Sequence, residues 1–195
     1  MGNSRRFLVL KKRVVQLGRD LLPPVNPVGG YSLQDQDQIR GFRILVHAEV
    51  EAFLEDLASE IVQKSLNRYT ATGKANKILK TLAQAFCRSH RPTTGEDFYV
   101  RAVKQYQEDV IKGNHGIKEA NICVLFLPIG IDRGLLDPAW LSTMSSFGAK
   151  RGEVAHSSFR VATVLDPVIE NNFVQQLTAN LEQFDIQLTP IRRVA

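Results

Sequence analysis

The feature that most constrains the fold is a long run of apolar residues at helical spacing in the first third of the chain. Apolar side chains recur at three- and four-residue steps over residues 39–61, and this period places them along one face of an α-helix. A helix of about 20 residues is roughly 30 Å long, which is the width of a small domain. The pattern therefore predicts a long central helix against which the rest of the chain packs.

A first, shorter helix is predicted ahead of the central one. Residues 7–21 form an amphipathic pattern that ends at the turn-rich linker 23–30. Arg5, Lys12 and Arg19 lie on the polar face of this helix. They form either a solvated surface, which is the commoner arrangement, or a basic stripe that follows a phosphate backbone.

The rest of the chain also favours helices. Apolar spacing predicts them over 78–86 and 98–110. Two later helices each begin at an aspartate followed by a proline, because aspartate caps a helix N-terminus and proline suits the first turn. These are Asp137-Pro138, with the apolar face Trp140, Leu141, Met144 and Phe147, and Asp166-Pro167, with Ile169, Phe173, Leu177, Leu181 and Phe184. Residues 117–127 are apolar enough for a short buried helix or for a strand, and their spacing does not decide between the two.

These patterns predict an all-α fold, a helical bundle with a long second helix. No stretch alternates apolar and polar residues between hairpin turns, and no internal repeat is visible. We predict two parts, with residues 1–22 as an N-terminal amphipathic helix or arm and residues 32–187 as the bundle domain. The sequence leaves open whether the first part packs on the bundle or docks elsewhere.

The composition favours an intracellular protein with an acidic partner. A net charge of +5 and a sequence pI near 9.4 make nucleic acid a more frequent partner than for an average protein. Two cysteines are too few for a disulfide-stapled secreted scaffold, and the apolar start of the chain is too short for a secretory leader. The longest apolar run is far short of the ~20 residues of a membrane span. We therefore predict a soluble, cytoplasmic protein with no membrane partner.

No metal and no cofactor are predicted. Cys87 and His90 are close in sequence, with His115 and Cys123 as distant partners, but this is not the spacing of a closed zinc site. The chain also lacks a glycine-rich phosphate-binding loop of the P-loop or dinucleotide type.

The segment that carries chemistry contains Arg151 and His156. Arginine is always cationic and binds phosphate through two donors, and histidine exchanges protons near neutral pH. On a regular helix, residues five apart point about 140° away from each other. Gly148 and Gly152 predict a helix start or a kink that lets Arg151 turn toward the same cleft as the histidine.

Two segments resemble the HEPN family, a group of α-helical bundles that carry an arginine, a short spacer and then a histidine. Residues 44–58, ILVHAEVEAFLEDLA, are similar to the second helix of the prokaryotic HEPN group typified by ribonuclease-like defence and toxin proteins. The other segment runs from DPAWL at 137–141 to SFGAKRGEVAH at 146–156. The resemblance covers about residues 32–185.

The resemblance implies a metal-independent endoribonuclease with Arg151 and His156 as catalytic residues. In RNA cleavage the 2′-hydroxyl attacks the neighbouring phosphorus, and a base on one side with an acid on the other gives the greatest benefit. It implies a homodimer with a composite site on the twofold axis. It also implies a toxin or phage-defence setting, with an antitoxin or another regulatory protein as partner.

Two other hypotheses stay open. Members of the family usually carry Asn, Asp or His directly after the arginine, where this chain has Gly152. The main alternative is therefore a catalytically silent HEPN-like module that dimerises or binds a nucleotide or a protein. The third hypothesis is an unrelated bundle in which the arginine and the histidine are incidental.

A polar row on the central helix supplies further candidates. Arg43, His47 and Glu51 are four residues apart, so they lie in a row along one side of the helix. They predict either support and binding of the substrate or an ion-pair ladder between helices. Glu51 is the candidate for orienting His156 and holding its tautomer. Lys150 is a further substrate-binding candidate.

Overall fold

The fold is a bundle of helices around one long central helix. We describe a computed structural model that covers residues 2–86, 97–156 and 164–195, without the side chains of 153–156. Every regular element among these residues is a helix, which confirms the all-α prediction. The α-helices are α1 Arg5–Leu21, α2 Leu33–Thr72, α3 Lys77–Phe86, α4 Phe98–Tyr106, α5 Glu119–Phe126, α6 Pro138–His156, α7 Pro167–Gln187 and α8 Thr189–Val194. Two short pieces complete them, a π-helix at Gln107–Ile111 and a 3-10 helix at Arg133–Leu135.

The central helix α2 is 40 residues long, and local chemistry sets both of its ends. At the start, the Asp35 backbone N–H donates to the Ser32 hydroxyl, and the Ser32 N–H donates back to the Asp35 carboxylate. At the end, Gly73 adopts a left-handed conformation with φ of 68°, which is open to glycine at little cost. The side of α2 that faces the other helices is fully buried from Ile39 to Ile61.

The first helix is part of the bundle core. Phe7, Leu10, Val14 and Leu17 all belong to the same buried apolar cluster as the central helix. The Ser4 backbone N–H donates to the buried Asp185 carboxylate at 2.7 Å, and this contact ties the start of α1 to α7. These contacts answer the question that the sequence left open, because residues 5–21 pack on α2 and α7.

The ambiguous segment 117–127 forms a helix. Its core is α5, and the Glu119 backbone N–H at its start donates to the Ser145 hydroxyl of α6 at 3.0 Å. A Cβ atom at Gly148 would lie 3.1 Å from the Lys118 side chain, so a glycine is needed for α6 to approach this segment closely. The glycine therefore serves packing, and α6 continues without interruption from Pro138 to His156. The prediction that the helix begins at Gly148 or Gly152 was wrong.

The last long helix turns a charged residue inward. The predicted cap is confirmed, since the Asp166 carboxylate accepts from two backbone N–H groups behind Pro167. The predicted apolar face was partly wrong, because Ile169 is 63% exposed whereas Glu170 is only 3% exposed. Glu170 is buried because it forms an ion pair with Arg43, a buried cation of α2.

None of the helices in the described ranges combines the length and hydropathy of a membrane span.

Candidate functional site

A buried ion pair joins three helices at the candidate site. Arg43 of α2 is 4% exposed, and its guanidinium binds the Glu170 carboxylate of α7 through two donors. A third donor, Nη1, lies 3.5 Å from the backbone carbonyl of Lys150 in α6. Burying a charge is expensive unless it is paired and hydrogen-bonded. Arg43 and Glu170 therefore compensate each other's buried charge, and the contact of Arg43 with the Lys150 carbonyl holds α6 beside α2.

His47 is the next residue of the polar row. Its side chain is 4% exposed and stacks on Phe147 of α6, with ring centroids 6.3 Å apart and planes at 20°. Its Nδ1 atom lies 3.6 Å from the Glu51 carboxylate and has no hydrogen-bond partner among the described residues. Burial, followed by the positive charge of Arg151, lowers the pKa of His47 from 6.5 to about 4. The imidazole is therefore neutral at physiological pH.

Glu51 is the partly exposed member of the row. Its side chain is 21% exposed. Burial and then the nearby Glu55 carboxylate raise the pKa of Glu51, and the charges of Arg151 and His115 partly oppose this rise. A carboxylate in this position can accept a hydrogen bond from a histidine or a ligand.

Arg151 brings an uncompensated positive charge to this group. It lies on α6, close enough to His47 and Glu51 to change the pKa of both. Its Nε atom is buried and makes no hydrogen bond to the described residues. It forms no ion pair with the described carboxylates either. A buried guanidinium Nε without an acceptor is an incomplete arrangement, because a buried donor that makes no hydrogen bond costs free energy.

The other residues predicted for the site are placed less closely. Lys150 is exposed, and its Nζ lies 4.7 Å from the centre of the Phe173 ring, a cation–π contact. His156 is the last residue of α6, and its side chain lies outside the described residues. Because α6 is continuous, its backbone position is about 140° around the helix from Arg151. Cys87 and His90 also lie outside the described residues.

The structure corrects the predicted roles of two residues in the polar row. Arg43 and His47 were candidates for substrate binding, but their burial leaves neither guanidinium nor imidazole at a surface that a ligand reaches. Arg43 is instead paired with Glu170 and contacts the segment of Arg151 directly, through the Lys150 carbonyl. The sequence analysis missed Glu170, and the available signal was an acidic residue one position from the apolar face predicted for α7.

The neutral state of His47 gives a measurable pH dependence. An unfolded chain protonates this histidine near pH 6.5, whereas the folded protein does so only near pH 4. We therefore expect the free energy of unfolding to fall as pH drops from 6.5 to 4, by up to about 3 kcal/mol from this group. Urea unfolding at several pH values across this range measures the decrease in the free energy of unfolding.

The matched variants are His47→Gln and His115→Gln. The first should flatten the decrease between pH 6.5 and 4, since glutamine does not titrate. The second removes an exposed histidine and controls for the loss of one histidine in general. Equal profiles for His47→Gln and the wild type would show that His47 is not held neutral.

No family model, curated protein or solved structure matches this chain. Among the residues that the structure describes, no three His, Cys, Asp or Glu side chains form a group that could hold a metal ion. Two observations therefore bear on function: the geometry around Arg151 and the residues that resemble the HEPN family.

Proposed function

We propose that this chain is a metal-independent endoribonuclease of the HEPN type that works as a homodimer. The single observation that supports it is the half-buried Arg151 guanidinium, which lies near the Glu51 carboxylate, forms no ion pair within the described residues and has a buried Nε without a hydrogen-bond partner there. The phosphate of an RNA backbone supplies the missing anion, and arginine binds it through two parallel hydrogen bonds.

The proposed chemistry divides between Arg151 and His156. The guanidinium stabilises the negative charge that develops on the phosphate oxygens when the 2′-hydroxyl attacks. His156 accepts the proton of that hydroxyl, and an acid on the opposite side protonates the leaving 5′-oxygen. The products are a 2′,3′-cyclic phosphate and a 5′-hydroxyl, so bonds and protons balance without a metal ion.

A second chain is needed for this reaction. One protomer contributes one His156, whereas the reaction uses a base and an acid. In addition, the backbone positions of Arg151 and His156 are about 140° apart around the continuous helix α6, which favours contributions from two protomers. A twofold axis beside α6 lets the arginine of one protomer and the histidine of its partner meet there. We place this enzyme in a toxin or phage-defence system, on the resemblance alone, with a regulatory protein as its partner.

The test is RNA cleavage by purified protein in the presence of a chelator. We expect the wild type to cut mixed single-stranded RNA, to leave 2′,3′-cyclic phosphate ends and to be insensitive to EDTA. We expect His156→Ala to lower the cleavage rate by about 100-fold or more, the size typical of a lost general acid or base. Lys104→Ala is the control, since it removes an exposed side chain of α4 that has no role in the proposed chemistry. Cleavage that needs magnesium, or that persists in His156→Ala, would refute the mechanism.

One observation favours the second candidate, a catalytically silent HEPN-like module. Gly152 stands where family members carry a polar residue, and a Cβ atom there would meet nothing within 4 Å. The position is open, so the glycine is not required by packing and the missing polar group is a real loss to a phosphate site. Binding of RNA or a nucleotide by a dimer that cuts nothing under any condition would establish this alternative.

A further inference from the structure

Five exposed cations lie on the three chain segments that meet at the backbone carbonyl of Val194. Arg68 of α2 donates to this oxygen at 3.0 Å, and Asn76 donates to it at 3.3 Å. These two contacts bring the end of α2, the start of α3 and the final helix α8 together. We call the cations carried by these three segments the basic pole: Arg68, Lys74, Lys77, Lys80 and Arg193.

One carboxylate lies beside the basic pole: Asp97 accepts a hydrogen bond at 2.6 Å from Tyr69, the neighbour of Arg68. The segments that carry the cations of the pole have none of their own. Residues 61–86 and 186–195 contain no aspartate and no glutamate. The nearest carboxylates along the chain are already paired, Glu60 with Lys64 and Asp185 with Arg192. Within the described part of the chain, none of the five cations of the basic pole forms an ion pair.

Several cations elsewhere on the described surface are paired with carboxylates. Arg13 binds Glu49 at 3.1 Å, Lys112 binds Glu108 at 2.7 Å, and Arg133 binds Glu119. The basic pole differs from these regions because its two sequence segments, 61–86 and 186–195, carry cations and no aspartate or glutamate. A surface that presents several like charges without counter-charges attracts polyanions and releases their counterions on binding.

We propose that the basic pole binds the phosphate backbone of RNA. Arg68 is 17 residues beyond Glu51 on the same helix, which corresponds to about 25 Å at the rise of an α-helix. The basic pole and the Arg151 site therefore lie within the span of one RNA strand. The choice of RNA among polyanions rests on the proposed nuclease function, whereas the binding surface itself does not.

The test compares two triple variants with equal net charge. Lys74→Gln/Lys77→Gln/Lys80→Gln alters the basic pole, and Arg5→Gln/Lys12→Gln/Arg19→Gln alters the polar face of α1. Each lowers the net charge from +5 to +2, by subtraction of three cations. All six side chains are exposed, so both variants should fold, as checked by circular dichroism and thermal melting. Binding is measured by fluorescence anisotropy with a labelled single-stranded RNA of about 20 nucleotides at several salt concentrations.

We expect the variant of the basic pole to bind RNA at least about tenfold more weakly at moderate salt, with a log–log salt slope smaller by about 2. The α1 variant should stay within about twofold of the wild type. Equal weakening in both variants would show a general charge effect and overturn the proposal. So would tighter binding of vesicles rich in anionic lipid than of RNA by the wild type.

The assay separates this proposal from the nuclease function. If the wild type cuts RNA but the two variants bind it equally, the proposal that the basic pole binds RNA is wrong and the nuclease proposal stands. If the wild type binds through the pole and cuts nothing, the surface is confirmed and the nuclease proposal fails.

Discussion

Arg151→Ala should lower the rate of RNA cleavage by about 10²- to 10³-fold, the usual effect of removing one donor that stabilises transition-state charge. Arg151→Lys should recover only part of the rate, since lysine keeps the charge but loses the two parallel donors. Both rates are measured under single-turnover conditions with the same labelled RNA. A cleavage rate for Arg151→Ala within a few-fold of the wild type would contradict the role proposed for this residue.

Arg151→Ala should lower the cleavage rate without lowering the stability of the fold. Removing Arg151 leaves no buried carboxylate without its partner, because its guanidinium forms no ion pair with the described residues. It also removes the buried Nε that makes no hydrogen bond. We therefore expect the free energy of unfolding to change by less than about 1 kcal/mol.

An independent readout checks the geometry. The charge of Arg151 helps to hold down the pKa of His47, so Arg151→Ala should raise that pKa, as followed by NMR of the imidazole. An unchanged His47 titration would mean that the two side chains are further apart than the structure places them.

The largest effect on stability should come from the Arg43–Glu170 pair. We expect Glu170→Ala to lower the free energy of unfolding by about 3–5 kcal/mol, because the substitution leaves the Arg43 charge buried and unpaired. Denaturant unfolding measures this loss. Glu108→Ala is the control: it breaks the exposed Lys112–Glu108 pair, which should be worth less than about 1 kcal/mol.

A double variant separates the pair from simple disruption of the core. Arg43→Met with Glu170→Leu replaces both charges by apolar groups of similar size, and such a replacement is often close to neutral. It should therefore recover most of the stability that Glu170→Ala loses. If Glu170→Ala costs no more than Glu108→Ala, the pair is not buried as described.

The double variant also tests how Arg151 is positioned. Arg43 reaches the Lys150 carbonyl at 3.5 Å, one residue before Arg151. A stable protein without this contact should cut RNA more slowly, and its RNA affinity should stay close to that of the wild type if the basic pole supplies most of the binding, as proposed.

Much of the fold could be predicted because it depends on local rules. The central helix was expected from apolar residues at helical spacing, and the starts of α6 and α7 were expected from aspartate before proline. Each of these signals acts within a few residues of chain. Residues 117–127 could not be assigned, because a short, uniformly apolar run suits a buried strand as well as a buried helix.

The candidate site was predicted less completely, for a physical reason. The spacing of Arg43, His47 and Glu51 places them on one side of a helix but does not say what that side faces. Their neighbours come from residues about 100 positions later in the chain, as in the contact between Arg43 and Glu170. Glu170 therefore looked like a surface residue, and Ile169 like a core residue, until the partner was known.

By itself, the sequence determined that the chain is helical, where its main helices begin, and that an arginine and a histidine share one segment. Only the tertiary structure decided that Arg43 is paired with Glu170, that His47 is buried and neutral, and that Arg151 lies near Glu51 without an ion pair among the described residues. The reason is that the state of a charge depends on its burial and its partners, and both are set by elements far apart in the chain.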